Sequence, residues 1–309
     1  MSRVVALVNP TAGGGRGAQR WRRSRRNLPD AASILEILAE DAEASRERLR
    51  ELLAQGDIER VLAVGGDGTA HLVANVLLEQ PPETRPIFGL VPAGTGSDLA
   101  RGLKLPRRPQ EALLRALEAP AAPLDAIALE TDDGRRRHVL NIASGGLSGA
   151  VVKILEASPQ RGQLSYLLST LRGLWSYTPA TCRVLADGQE IHRGDLFLAA
   201  VANGRFFGKG MPVAPDAVTD DGLLDLVIVP PVPRWKLPLR LPLFFLGRHV
   251  QLPAVIWQRA REIRLEPEGT FPPFELDGEL FTAGSATLRI VPGALRIAGR
   301  KPSQPGDSP

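Results

Sequence analysis

Through the first 125 residues short apolar runs alternate with segments of helical period, and glycine-rich turns divide them. Residues 4–8 form a continuous apolar run that stops at Asn9-Pro10, as a buried strand would. A glycine loop over 11–17 follows, and a basic helix is expected from about Ala18. Residues 31–38 are a second strand candidate, 42–55 an Arg/Glu-rich amphipathic helix, and 60–64 a third strand closed by Gly65-Gly66-Asp67-Gly68. A helix through Leu78, a strand over 87–91 and a loop over 92–97 complete the alternation. Such alternation predicts an α/β fold whose N-terminal domain is a mostly parallel, doubly wound sheet, with ligands at the carboxyl ends of the strands.

The pattern changes after the Glu-Ala-Pro-Ala-Ala-Pro segment at 118–123, which reads as a linker. Short strand candidates follow at 125–129, 137–143, 181–186, 195–202, 224–229, 262–265, 274–276 and 287–291, a β-rich (β-sandwich) second domain. Helices are expected at 163–177 and 235–248. The domains expected are 1–125, completed by 292–300, and 126–291, with a disordered tail over 301–309.

Composition narrows the class. Hydrophobic residues make up 43% of the 309 and charged ones 23%, enough for packed cores and against wholesale disorder. The single cysteine, Cys182, excludes an internal disulfide and a cysteine zinc site, which suits a cytoplasmic protein. The apolar run at 4–8 is too short for a signal peptide. The greasiest stretch, 237–246, carries Arg240, Pro238 and Pro242 and falls short of the roughly 20 apolar residues of a spanning helix. The net charge of +4 comes from 38 cations, of which 33 are arginine. It favours anionic partners without choosing among them.

Three loops carry the candidate chemistry. Asn9-Pro10-Thr11-Ala12-Gly13-Gly14-Gly15-Arg16-Gly17 lies between a strand and a helix, where glycines let backbone N–H groups approach an anion. Either that or a turn needing positive φ accounts for it alone. Gly65-Gly66-Asp67-Gly68-Thr69 repeats the context with a carboxylate that suits a Mg²⁺-bound water, or a helix N-cap. Pro92-Ala93-Gly94-Thr95-Gly96-Ser97-Asp98 adds two hydroxyls. Three anion-friendly loops at successive strand ends point to a nucleotide site.

In this order the loops resemble the diacylglycerol kinase catalytic-domain family of bacterial soluble lipid kinases, which is related to sphingosine and ceramide kinases. The likeness continues through Asn141–Gly149, Asn203-Gly204, Asp221-Gly222-Leu223-Leu224-Asp225 and Asp277-Gly278-Glu279, so it covers almost the whole chain. It implies a cytoplasmic enzyme that visits the membrane periphery and moves the γ-phosphate of Mg·ATP to the hydroxyl of a diacylglycerol-like lipid. Asn9, Gly66, Asp67, Gly68, Thr69 and Thr95 would surround the ATP, and Asp277 or Glu279 would be the general base. A second Mg²⁺ would sit on 218–223, held by the Asp221 carboxylate and the carbonyls of Val218 and Leu223. Phosphoryl transfer needs such positioning, charge neutralisation and a carboxylate near the acceptor. Asp277-Gly278 also reads as a hairpin turn.

The chain departs from the family pattern at Ser97 (usually Asn), Leu72 (usually Glu), His71 (usually Asn) and Glu40-Asp41 (where a Thr is usual). Arg16, Arg20, Arg22, Arg23, Arg25 and Arg26 crowd one helix, a solvated face with a share for phosphate or acidic lipid headgroups. Residues 235–248 suit an interfacial contact, although core packing accounts equally for Phe244 and Phe245. Ser144 and Ser148 lack the pattern of a nucleophile elbow, which argues against a hydrolase. No nucleic-acid partner is expected, and a homodimer is left open. The rival readings are an NAD kinase-like enzyme, which shares the Gly-Gly-Asp-Gly-Thr loop, and a catalytically impaired lipid- or nucleotide-binding regulator.

Overall fold

The computed structural model describes residues 3–26, 28, 34–39, 41–94, 96–156, 173, 175, 177–269 and 273–300. Strands β1 (Arg3–Val8), β2 (Ile34–Leu38), β3 (Ile58–Gly65) and β4 (Ile87–Pro92) lie parallel in the order β2-β1-β3-β4. Alternation with period two sends neighbouring side chains to opposite faces. Val5, Leu7, Val61 and Ala63 meet the helices Ala42–Ala54 and Asp67–Leu78, whereas Val4, Ala6, Val8, Leu62 and Val64 meet Gly17–Arg25 and Pro109–Glu118. Both faces are covered, so the strands read as unbroken apolar runs.

The Glu-Ala-Pro-Ala-Ala-Pro segment corrects the expected linker. Helix Pro109–Glu118 ends there, but Ala121, Ala122 and Pro123 already belong to strand β5 (Ala121–Thr131) and face Ala298, Ile297 and Arg296. Proline fits a strand wherever its missing N–H is not needed by the ladder, so two prolines alone do not make a linker.

Next come β6 (Arg136–Val139), β7 (Ile142–Gly146), β8 (Ala180–Ala186), β9 (Gln189–Leu196) and β10 (Leu198–Ala202). They precede a short ribbon of β11 (Phe206–Phe207) and β12 (Met211–Pro212), then β13 (Leu224–Val229), β14 (Ile256–Ala260) and β15 (Glu262–Pro267). β16 (Phe274–Leu276), β17 (Glu279–Phe281) and the 13-residue β18 (Ala286–Ala298) close the described chain. The runs expected at 137–143 and 195–202 are each two strands, broken at Leu140-Asn141 and at Phe197.

β18 joins the two halves. It pairs with β5 from Ala286–Thr131 to Ala298–Ala121, and beyond a register break between Val291 and Leu295 its Ile297 reaches Phe88 of β4 in parallel. The first sheet therefore runs on into ten strands, in the order β2-β1-β3-β4-β18-β15-β8-β9 with β5 and β6 alongside. Facing its second half is a six-stranded sheet, β14-β13-β10-β7-β16-β17. The sandwich core between them includes Ile127, Leu129, Val201, Leu226, Ile263 and Leu288. The alternate residues Leu198, Ala200, Ala202, Val227 and Val229 point to the outer face, beneath the helix Leu237–Phe245. The expected helix over 235–248 is thus realised as that helix after a 3₁₀ turn at Arg234–Lys236. The helix expected at 163–177 lies almost wholly outside the described residues, as does the tail over 301–309.

Candidate active site

At the carboxyl ends of β1, β3 and β4 the three glycine loops lie on one another. The Asn9 side chain donates Nδ2–H to Thr69 Oγ1 at 3.3 Å and accepts from the N–H and Oγ–H of Thr11 at 3.0 and 2.8 Å. Ala93 and Gly94 N–H both donate to the Gly65 carbonyl, at 2.8 and 3.1 Å. A Cβ on residue 94 would stand 2.8 Å from Gly66 Cα and 3.0 Å from the Gly96 carbonyl, so only glycine permits the approach. Gly14, Gly15 and Gly68 instead face open space, as glycines lining a cradle would. Gly94→Ala should therefore lower the unfolding free energy by about 1–3 kcal/mol, because the crowding atoms are backbone. Urea denaturation reads this, and an unchanged midpoint would refute the packing account.

Asp67 begins the helix Asp67–Leu78, with Gly66 as N-cap. Its carboxylate crosses to the next loop and accepts the N–H groups of Asp98 and Leu99 at 3.0 and 3.1 Å, capping the helix Asp98–Gly102. Burial pushes its carboxyl up to about 6 against those hydrogen bonds, and the charges of Asp98 and Asp277 add to the rise. The Asp98 carboxylate accepts Lys209 N–H at 2.8 Å and lies 3.4 Å from Arg101, so the β11–β12 ribbon is anchored to the same loop. Thr95 lies outside the described residues, as does Glu40. Asp41 caps its helix through Ala44 N–H at 2.7 Å, Leu72 is buried in the core, and Ser97 turns onto the Gly96 carbonyl at 2.7 Å.

From the other half of the chain the β16–β17 hairpin brings in Asp277 and Glu279. Asp277 and Gly278 have φ of 49° and 97°, the positive values that a two-residue type I′ turn demands. The Asp277 oxygens accept Leu140 N–H at 2.8 Å, Asn141 and Ile142 N–H at 3.0 Å each, and His71 Nδ1 at 3.0 Å. Four donors occupy the roughly four lone-pair directions of a carboxylate. Glu279 is exposed, and its side chain has no hydrogen-bond partner among the described residues. Burial opposes the His71 imidazolium, but the Asp277 hydrogen bond and charge, with Glu279, outweigh it and raise the pKa. His71 sits on the helix that starts at Asp67, so this single contact ties the acidic hairpin to the glycine loops.

Beneath the hairpin Glu275 is fully enclosed. It accepts Ser144 Oγ–H at 2.6 Å and Gly278 N–H at 2.5 Å, and a Ser144–Ser148 contact of 2.8 Å extends the chain of hydroxyls. Burial pushes its carboxyl up to about 7. A folded-state value above the ordinary 4.5 means that the folded form holds the proton more tightly. The stability cost is therefore full above about 7 and vanishes as pH falls toward 4.5. Urea unfolding should show a gain of about 3 kcal/mol from this group between pH 8 and pH 4.5. Glu275→Gln should remove that share; an identical slope in the variant would count against it.

The loop before β13 holds the candidate metal ligands. Asp221 Oδ1 accepts Leu223 N–H at 3.0 Å, while Oδ2 stands 3.9 Å from Arg259. Burial raises the Asp221 carboxyl, with Asp220 adding to the rise, and burial raises buried Asp225, with Asp221 adding. Asp225 Oδ2 has no hydrogen-bond partner among the described residues. Arg259 lies against both Asp221 and Asp225, at 3.9 and 3.4 Å, and balances part of their charge; the hard oxygens and the orphaned carboxylate oxygen that remain fit a divalent cation. No three His, Cys, Asp or Glu side chains converge on a metal cage among the described residues, and the expected donors are one carboxylate with main-chain carbonyls.

Several residues at work here were given no role in the sequence reading. Buried Asp125 accepts Gly222 and Gly293 N–H at 2.8 and 2.7 Å, while Asn203 Nδ2–H bonds the carbonyls of Asp125 and Leu140. His71 was legible only as a departure from a pattern, and Glu275 as a strand residue. Alternation gave no signal for Glu275, since it places the residue on the face opposite Phe274 and Leu276, and only the structure shows that this other face is buried too.

Two family models match the chain, the diacylglycerol kinase catalytic domain over residues 3–129 and the YegS C-terminal NAD kinase beta sandwich-like domain over 141–299. A probable lipid kinase YegS-like of Chromohalobacter salexigens is 34% identical over 81% of this chain and 79% of its own. A diacylglycerol kinase of Mycobacterium tuberculosis is 30% identical over 96% and 95%. The crystal structure of a diacylglycerol kinase from Bacillus anthracis superposes with a TM-score of 0.75 over 97% of this chain and 98% of that one, at 22% identity. An NAD kinase from Archaeoglobus fulgidus in complex with ATP reaches 0.53 over 96% and 94%, at 14% identity, and shares the fold alone. With both halves matched and the relatives aligned over 79% and 95% of their lengths, the chain belongs to the diacylglycerol kinase catalytic-domain family, among its bacterial YegS-like lipid kinases.

Proposed function

We propose that this kinase transfers the γ-phosphate of Mg·ATP to the hydroxyl of a diacylglycerol-like lipid. The observation that carries the reading is the His71–Asp277 contact of 3.0 Å, which ties an acidic hairpin to the helix that starts at the Gly66-Asp67-Gly68 loop. Asn9, Gly66, Asp67, Gly68, Thr69 and Thr95 surround the nucleotide, with its phosphates over the glycine cradle and the N-terminus of the helix Asp67–Leu78. Glu279 takes the proton of the lipid hydroxyl as its oxygen bonds to the γ-phosphorus and ADP leaves. Asp277, whose lone pairs are engaged, shapes the turn that presents Glu279. The Asp221 carboxylate and the carbonyls of Val218 and Leu223 would hold a Mg²⁺ ion, whose charge would relieve the repulsion among the acids of that loop. In this reading residues 1–125, completed by 292–300, form the nucleotide domain and 126–291 the lipid domain.

Radiolabelled ATP with diacylglycerol in mixed micelles should yield a phosphorylated lipid, identified by mass across a set of lipid alcohols. Binding of ATP with no lipid turnover across that set would refute the proposal. Gly68→Ala adds a methyl to open space, so it should leave stability unchanged and weaken ATP binding about tenfold or more. Equal ATP affinity in that variant would put the phosphates elsewhere.

A further inference from the structure

Between Asp225 and Glu262 the chain carries no acidic residue, yet it has Arg234, Lys236, Arg240, Arg248, Arg259 and Arg261. The helix Leu237–Phe245 at the centre of this stretch is apolar on both sides. Leu237, Leu241 and Phe244, spaced i, i+4, i+7, pack onto the outer face of the six-stranded sheet. Trp235, Leu239, Pro242 and Leu246, spaced i, i+4, i+7, i+11, run along the opposite side in full view of solvent, with Phe245 beside them. Trp235, Leu239 and Leu246 are 69%, 71% and 65% exposed, where an apolar side chain gains nothing by standing in water. A helix whose outward side is also apolar has that side suited to protein or hydrocarbon rather than to water.

Lys236 and Arg240 each stand one residue after a member of the stripe, and Arg234 and Arg248 lie at its ends. This arrangement of tryptophan, leucines and phenylalanine edged by cations matches an interfacial helix lying in the plane of an anionic bilayer. A second copy of the chain fits less well. A two-fold contact through the stripe would bring both cationic edges together, and the stretch between Asp225 and Glu262 has no acid of its own to neutralise them. The helix also connects to the nucleotide loops: Phe207 of the β11–β12 ribbon packs in its cluster, and the ribbon's Lys209 N–H bonds Asp98 at 2.8 Å.

We infer that the exposed stripe Trp235–Leu239–Pro242–Leu246, with Phe245, is the surface by which this kinase docks on an anionic lipid bilayer. Resting on the lipid-substrate reading above, the docking sets the bilayer against the half of the molecule that carries the ribbon and the hairpin.

Co-sedimentation with phosphatidylglycerol/phosphatidylcholine vesicles, without ATP, tests it. Wild type should sediment with them. The pair Leu239→Ser and Leu246→Ser should lower the partition coefficient about 100-fold, roughly tenfold for each leucine withdrawn from the bilayer. The pair Lys236→Gln and Arg240→Gln should lower it about 30-fold on anionic vesicles and leave it unchanged on pure phosphatidylcholine. Turnover of lipid in detergent micelles should stay at the wild-type level in both, which also shows that they fold. Partition equal to wild type in both variants overturns the inference. So does a concentration-dependent dimer, in sedimentation velocity, that the leucine pair abolishes while wild type ignores vesicles. Vesicle binding without any lipid phosphorylation would remove the substrate reading alone and leave the docking surface standing.

Discussion

Replacing Glu279 by Gln is expected to lower kcat by about 10²–10⁴-fold, the usual share of a general base, while KM for ATP and the urea midpoint stay where they are. The split follows from position. Glu279 is exposed at the start of β17, beside the Asp277-Gly278 turn, and its side chain bonds nothing among the described residues, so the amide of the variant leaves no buried partner stranded. It is also the hairpin carboxylate with lone pairs available, since Asp277 has spent its own on four donors. The measurement is steady-state kinetics with ATP and lipid varied separately. Full kcat in Glu279→Gln would return the role of base to another group.

Asp277→Ala should fail differently. Removing its carboxylate strands the N–H groups of Leu140, Asn141 and Ile142 and leaves buried His71 without its counter-charge. Unpaired buried donors cost about 1–3 kcal/mol each, and loss of one partner of a buried charge pair costs about 3–5 kcal/mol. These costs overlap, and the expected loss in unfolding free energy is about 3–5 kcal/mol. Activity should fall along with the urea midpoint, because the turn that presents Glu279 is no longer held. Asp277→Asn keeps one carbonyl oxygen for the main-chain donors and should recover part of the stability. A stable but inactive Asp277→Ala would instead make Asp277 a participant in the proton transfer.

The glycine loops and their order were legible because each needs a residue type that little else explains: glycine where backbones touch, and a carboxylate where a helix begins. Asp67 shows the limit. Its spacing marked it as important, but its hydrogen bonds go to Asp98 and Leu99, thirty-one and thirty-two positions on, and periodicity carries no such long-range partner. Asp277 and Glu279 were likewise inseparable in sequence, since both are acids at one turn and differ only in what surrounds them. Apolar runs also hid their geometry. β10 and β13 were expected as strands of a β-rich domain, yet only the structure assigns Ala199, Val201, Leu226 and Ile228 to the sandwich core and Ala200, Ala202, Val227 and Val229 to the outer face. β18 was read as a strand over 287–291, with 292–300 assigned separately to the first domain; it is one strand over Ala286–Ala298 that carries a break in register between Val291 and Leu295. Phe244 and Phe245, equivalent by composition, were separated only by the helix that turns one inward and the other out.

The passage of β5 and β18 through both halves governs how those halves can move against each other. Two domains joined by a pair of loose crossings swing like a door, but two joined by a hydrogen-bonded ribbon resist swinging and yield mainly to torsion about its length. The compliant point is the break between Val291 and Leu295, and there the Asp125 carboxylate grips Gly293 together with Gly222 of the loop before β13. Asp125 thus acts as the pin of a stiff pivot. On the proposed reading, an enzyme on such a pivot would meet its lipid with the phosphate-side and hydroxyl-side groups already in register, and would need no wide closure to assemble the reacting geometry.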